Sequence, residues 1–139
     1  MSDWYGTSRS NYFMVKDVDK FKALCARWGV EFIAKSDEPE LVGFLGLSEY
    51  GGLPSHRLEK DKDTDEMIEL DSDDFYKELA EQLKDGEVAV MIESGAQKHV
   101  YITGFAMAIN SKGETVSLSL DEIYEKAKGL GENITKAER

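Results

Sequence analysis

This chain of 139 residues has almost no cysteine, proline or histidine: one, two and two, respectively. A single thiol, Cys25, can neither close an internal disulfide nor build a thiolate zinc site. Two histidines, His56 and His99, are too few for a His-rich metal centre. No apolar run approaches the ~20 residues of a membrane helix. The opening Met1-Ser2-Asp3-Trp4 lacks the basic and apolar regions of a signal peptide. These absences predict a soluble, cytoplasmic protein without a membrane partner. Positive charge is also scarce, with 17 basic residues against 28 acidic ones and a formal charge of −11. Such a balance disfavours direct binding to nucleic acid, because like charges repel at long range. Several enzyme signatures are missing as well: there is no phosphate-binding Gly-x-x-x-x-Gly-Lys-Ser/Thr loop, no Gly-x-Ser-x-Gly elbow and no His-Glu-x-x-His helix.

Apolar residues are not scarce. At 41% hydrophobic and 10% aromatic, the chain can build one core, and its length fits one domain spanning 1–139. After a polar leader, residues 1–11, Tyr12 to Val15 reads as a short buried strand. Asp17 stands at an N-cap position, and Val18, Phe21, Leu24, Cys25 and Trp28 form one helical stripe that ends at Gly29. Strands are predicted at Val30–Ala34 and Leu41–Leu47, after a turn-like Ser36 to Pro39. Gly46 to Leu58 reads as a loop re-entering the sheet near His56. Met67 to Leu70 reads as a short edge strand. A helix is predicted at Asp73–Leu83, capped by Asp71 or Ser72, with Phe75, Tyr76, Leu79 and Leu83 inward. Val88–Ile92, a turn at Ser94 to Gln97, a long strand from His99 to Asn110 and a return at Thr115–Leu118 predict an antiparallel meander. Gly104 within that long run suggests a bulge. Ser119 to Glu122 resembles a capping box opening a third helix, with Leu120, Ile123, Tyr124 and Ala127 on one side. A polar tail covers 132–139. The pattern is α+β: a single domain with a mainly antiparallel sheet of about five or six strands and three helices packed on it.

The charge is unevenly placed. Residues 1–58 carry 7 basic and 8 acidic side chains, and residues 94–139 carry 6 and 6. Residues 59–93 carry 4 and 14, so a net −10 lies in a quarter of the chain. The densest part is the acidic stretch 59–74. Asp61, Asp63 and Asp65 start like a calcium loop, but Glu66 stands where its glycine belongs and Ser72 where its bidentate glutamate belongs. No metal or other cofactor is therefore expected. In an extended chain the three aspartates would project from one face about every 6.6 Å, within a factor of two of nucleic-acid phosphate spacing. Asp61, Asp63, Asp65, Glu66, Glu69, Asp71, Asp73 and Asp74 are the expected partner-binding residues. No catalytic residue is assigned. Cys25 sits on an apolar stripe with no base paired to it by spacing, and reads as structural. Asn133-Ile134-Thr135 matches a glycosylation sequon and means nothing in a cytoplasmic chain.

Two stretches have a further use. Ser10-Asn11-Tyr12-Phe13-Met14-Val15-Lys16-Asp17 resembles the opening of small acidic proteins encoded on phages, plasmids and bacterial accessory islands. Glu93 to Lys98, Tyr101, Gly104, Ala106, Asn110 to Glu114 and Ile123 to Ala127 resemble the same group. The resemblance brings no site residue with it. It implies an anti-defence setting, of the anti-CRISPR or antirestriction kind. The leading expectation is a non-enzymatic acidic inhibitor that occludes the nucleic-acid site of a basic protein, such as a CRISPR effector or restriction nuclease. An immunity-like or accessory protein-binding module is the alternative. A small enzyme using the Tyr50–His56 loop ranks third.

Overall fold

The computed structural model describes residues 4–46, 53–54, 56–97 and 101–137. The chain runs β1 (Trp4–Ser10), β2 (Phe13–Met14), α1 (Val18–Trp28), β3 (Val30–Lys35), β4 (Glu38–Gly46), β5 (His56–Lys60), β6 (Met67–Asp71), α2 (Ser72–Gln82), β7 (Val88–Gln97), β8 (Tyr101–Asn110), β9 (Thr115–Ser119) and α3 (Glu122–Lys126), followed by a 3-10 turn at Ala127–Gly129. All strand pairs are antiparallel. The main sheet has seven strands in six positions, because β1 and β2 occupy successive parts of one position beside β4. Its order is β3, β4, β1 with β2, β7, β8, β9. The first four positions with α1 and α2 form a split β-α-β arrangement, which the β7–β8–β9 meander extends on one side. Such a topology hosts many unrelated functions. The α+β expectation holds.

The leader is the main correction. Trp4–Ser10 is an interior strand, paired with β7 from Trp4↔Gln97 to Ser10↔Met91. Gly6, Thr7, Ser8 and Ser10 hide it from a hydrophobicity reading, since this strand buries hydroxyls. Ser10 is 1% exposed; its Oγ donates to Asn11 O at 2.8 Å and accepts from Phe44 N at 2.9 Å. At the break after Ser10, the Asn11 side chain replaces the ladder, donating to Val88 O at 3.1 Å and accepting from Val90 N at 2.8 Å. Gly43 faces this break. A Cβ there would lie 2.6 Å from Asn11 O and 2.7 Å from Ser10 Oγ, so only glycine fits.

The helices follow their sequence signals. Asp17 caps α1 by accepting from Asp19 N and Lys20 N, and Gly29 ends it at φ 71°. The stripe Phe21, Leu24, Cys25 and Trp28 is buried. Asp71 and Asp74 form a reciprocal capping box on α2, which buries Phe75, Leu79 and Ala80. Both helices cover one face of the sheet. Phe75, 1% exposed, lies edge-on to Trp28 at 5.4 Å, Phe44 at 5.6 Å and Tyr76 at 5.8 Å. One ring thus joins α1, α2 and β4.

Four further expectations change. Ser94 to Gln97 is not a turn but the end of β7, pairing through Gln97↔Tyr101; its glycine and small residues suit a strand packed closely against its neighbours. Gly104 makes no bulge, keeping the regular register Ser94↔Gly104. A Cβ there would meet Leu120 Cδ1 at 2.7 Å, so the exposed Leu120 side chain would have to shift. The third helix has five residues and buries none of them; of the expected capping box, one half forms, Ser119 N donating to Glu122 Oε2 at 2.5 Å. Finally, His56 does not re-enter the main sheet; among the described residues β5 pairs only with β6, in a separate hairpin.

Because Phe75 joins both helices to the sheet, Phe75→Ala should destabilise the domain by about 3–5 kcal/mol. The melting temperature should fall on the order of 10–20 °C. A loss under about 1 kcal/mol in chemical denaturation would show that the ring is not the junction of the core.

Candidate functional site

The acidic stretch forms the β5–β6 hairpin and the first turn of α2. Its register runs from His56↔Asp71 to Lys60↔Met67, and residues 61–66 make the turn. Asp61 shapes that turn: its backbone N–H donates to Glu66 O at 2.7 Å and its carbonyl accepts from Asp65 N at 3.0 Å. Its side-chain Oδ1 accepts from Asp63 N at 2.8 Å and Thr64 N at 3.3 Å. Asp65 takes φ 65° and pairs with Lys60 Nζ at 2.8 Å. Asp61, Asp63 and Asp65 therefore do not project from one face of an extended strand. An aspartate that captures nearby backbone N–H groups favours a turn over a ladder.

The eight expected binding residues fall into two groups. Asp61, Asp63, Asp65 and Glu66 lie at the hairpin tip. Glu69, Asp71, Asp73 and Asp74 lie at its root, where β6 enters α2. Only Met67 and Ile68 separate Glu66 from Glu69, a span of about 10 Å, and they are 62% and 40% exposed. Asp71 and Asp74 are engaged with each other's backbone N–H, at 3.3 Å and 2.9 Å. Asp63, Glu66 and Asp73 are exposed and have no side-chain hydrogen bond or ion pair among the described residues.

The sequence reading missed what holds the hairpin in place. Arg27, at the end of α1, donates from Nε to Glu59 Oε2 at 2.8 Å and from Nη2 to Glu59 Oε1 at 3.0 Å. Its Nη1 donates to Glu78 Oε1 on α2. Trp28 Nε1 donates to the other oxygen of Glu78 at 2.8 Å. The hydrogen bond to Glu59, ahead of the charges of both glutamates, pushes the guanidinium further above its ordinary range. No spacing links residues 27, 59 and 78. The only hint was an arginine off the apolar stripe of the first helix, beside an acid-rich segment elsewhere in the chain.

A groove of about 490 Å³ runs between α2 and the β8–β9 hairpin, lined by Tyr76, Lys77, Glu81, Met107 and Lys112 among others. Burial, then Glu93 and Asp73, pushes the Tyr76 phenol up. The groove mixes charges of both signs and singles out no substrate. Among the described residues no group of three or more His, Cys, Asp or Glu is arranged to hold a metal ion, and no helix is long and apolar enough to cross a membrane. Tyr50, Gly51, Gly52 and Ser55 of the candidate enzymatic loop, and His99, lie outside the described residues. Comparison with protein-family models, curated proteins and solved structures gives no match.

Cys25 is 2% exposed, and burial pushes its thiol from 9.0 up to about 12. That is the wrong direction for a nucleophile, which needs thiolate. The unfolded chain releases this proton near 9.0 while the folded chain holds it to about 12. Stability from this group is therefore complete below pH 9 and falls as pH rises between those values, by about 1.4 kcal/mol per pH unit. Chemical denaturation of wild type and Cys25→Ala from neutral to alkaline pH should show the difference between them moving against wild type at that rate. Parallel curves would reject the shift.

If Arg27 holds the hairpin, Arg27→Met keeps the apolar stem and removes the hold. Amide exchange in β5 and β6 should then accelerate at least tenfold, with β7 and β8 unchanged. Equal rates in both proteins would mean that apolar packing alone seats the hairpin.

Proposed function

We propose that this protein is a non-enzymatic acidic inhibitor whose β5–β6 hairpin and α2 N-terminus occupy the nucleic-acid site of a basic protein, a CRISPR effector or a restriction nuclease. The observation that carries this reading is the fixed presentation of the acid. The hairpin is clamped at Glu59 by Arg27, its tip is shaped by Asp61, and its root is locked by the Asp71–Asp74 box. A mobile acidic tail loses conformational entropy on binding. Carboxylates held in two groups about 10 Å apart along β6 meet a phosphate-binding groove with that cost already met in folding. The summed field steers the encounter, and many weak contacts share the affinity.

This reading rests on function as binding rather than turnover, and the carboxylates without a side-chain hydrogen bond or ion pair among the described residues are the ones to test. Asp63→Asn, Glu66→Gln and Asp73→Asn together remove three charges and leave turn, ion pair and capping box in place. The test screens wild type against purified CRISPR effectors and restriction nucleases for stoichiometric loss of DNA cleavage, at two salt concentrations. The triple variant should fold, associate at least tenfold more slowly with the inhibited enzyme, and show a shallower salt dependence. Each exposed pair is worth about 0.2–1 kcal/mol, so single changes should have little effect. An absence of inhibition across the panel, or an unchanged salt slope in the folded variant, would reject the proposal.

A further inference from the structure

Among the described residues, no helix covers the other side of the sheet over β7 and β9. The cross-strand rows Val90–Ala108–Val116 and Ile92–Ala106–Leu118 point away from α1 and α2. On this face Val88 is 45% exposed, Ile92 55%, Leu118 56% and Val116 72%. Every alternate position of β7, β8 and β9 here is uncharged, from Val88 to Ala96, Ile102 to Asn110 and Val116 to Leu118. Arg9, stacked on Tyr12 at 5.6 Å, marks its border on β1, and Leu120 lies over Gly104 at the other end.

The relief of this face complements itself. Ala106 and Ala108 line a trough, with branched residues of β7 on one side and Val116 and Leu118 on the other. A hollow of about 280 Å³ sits over the trough. A ridge of one copy therefore fits the trough of another. The exposed apolar surface is on the order of 600 Å², at the upper limit for the largest patch on a monomer. That is most of the roughly 800 Å² each partner brings to a standard interface. Charge allows the pairing too. The acid-rich hairpin root and α2 lie on the helix-covered side, so apposed bare faces keep the two acidic ends apart. An isologous two-fold contact needs only one such patch per chain.

We propose that a second copy of this chain covers the β7–β8–β9 face, the two sheets packing face to face as in a β-sandwich. This goes beyond the inhibitor reading and does not depend on it. Light scattering after gel filtration, at micromolar concentration, should give wild type a mass of about 31 kDa, twice the 15.6 kDa of one chain. Ile92→Glu, and separately Val116→Glu with Leu118→Glu, should fold and run at the mass of one chain. Carbene footprinting of wild type provides a measurement that needs no variant. Labelling of Val116 and Leu118 should fall several-fold between dilute and concentrated samples, while Leu58 and Leu130, exposed elsewhere at 58% and 91%, keep theirs. A wild type with the mass of one chain throughout would overturn the proposal, as would a dimer that survives Ile92→Glu or footprints at Val116 and Leu118 that ignore concentration. Survival in Ile92→Glu would place the contact at the free edge of β9 instead.

Discussion

A two-stranded hairpin dense in carboxylates meets repulsion on a negative protein, and Arg27, together with Leu70 packed against the core, ties this one to the domain. Isolated hairpins of this size are marginal in water, and the charge between residues 59 and 93 adds repulsion to that weakness. Arg27 answers both difficulties by bonding Glu59 of β5 and Glu78 of α2 at once. Its fork geometry suits two carboxylates better than an ammonium would. Trp28 then fixes the second oxygen of Glu78 while its ring packs edge-on to Phe75. The polar clamp and the aromatic core are therefore one connected structure, which places the acidic surface relative to the sheet.

Legibility of the fold tracked local signals. The α1 stripe with its Asp17 cap and Gly29 stop, the Asp71 cap of α2, and the β8–β9 return all read correctly because each is set by residues near in sequence. What could not be read depends on long-range neighbours. β1 is a strand because β7 and β4 lie beside it, and its serines and glycine have no strand signature of their own. Gly104 answers to Leu120, sixteen positions away, rather than to a bulge. The stretch Ser94 to Gln97 has turn-like composition, but a partner strand on each side keeps it extended. The candidate site divides in the same way. Its charge density was visible in the chain, whereas its two-group geometry and its clamp belong to the tertiary structure.

The sheet also separates two kinds of surface. Its helix-covered side carries the core and, beyond the helices, the acid. Its bare side, over β7, β8 and β9, is mostly apolar and carries no charged strand residue, with Glu114 at its edge. β-sheets in soluble proteins ordinarily alternate inward apolar with outward polar residues. Here both rows of β7 are largely apolar, as in a strand meant for cover on each face, while α1 and α2 cover only one.

The acid itself divides by role, and this explains how so much of it is tolerated in one segment. Asp61 is absorbed by a turn, Asp71 and Asp74 by a helix cap, Asp65 by Lys60, and Glu59 and Glu78 by Arg27. Asp73 and Asp74, in the first turn of α2, also meet the positive end of a helix dipole. Each of these contacts lowers the cost of the carboxylates nearest the backbone, where repulsion would most oppose folding. Asp63, Glu66 and Asp73 make no side-chain contact of this kind and face water. Their field is least screened by the fold and costs it least, which makes them the residues most available to a cationic partner.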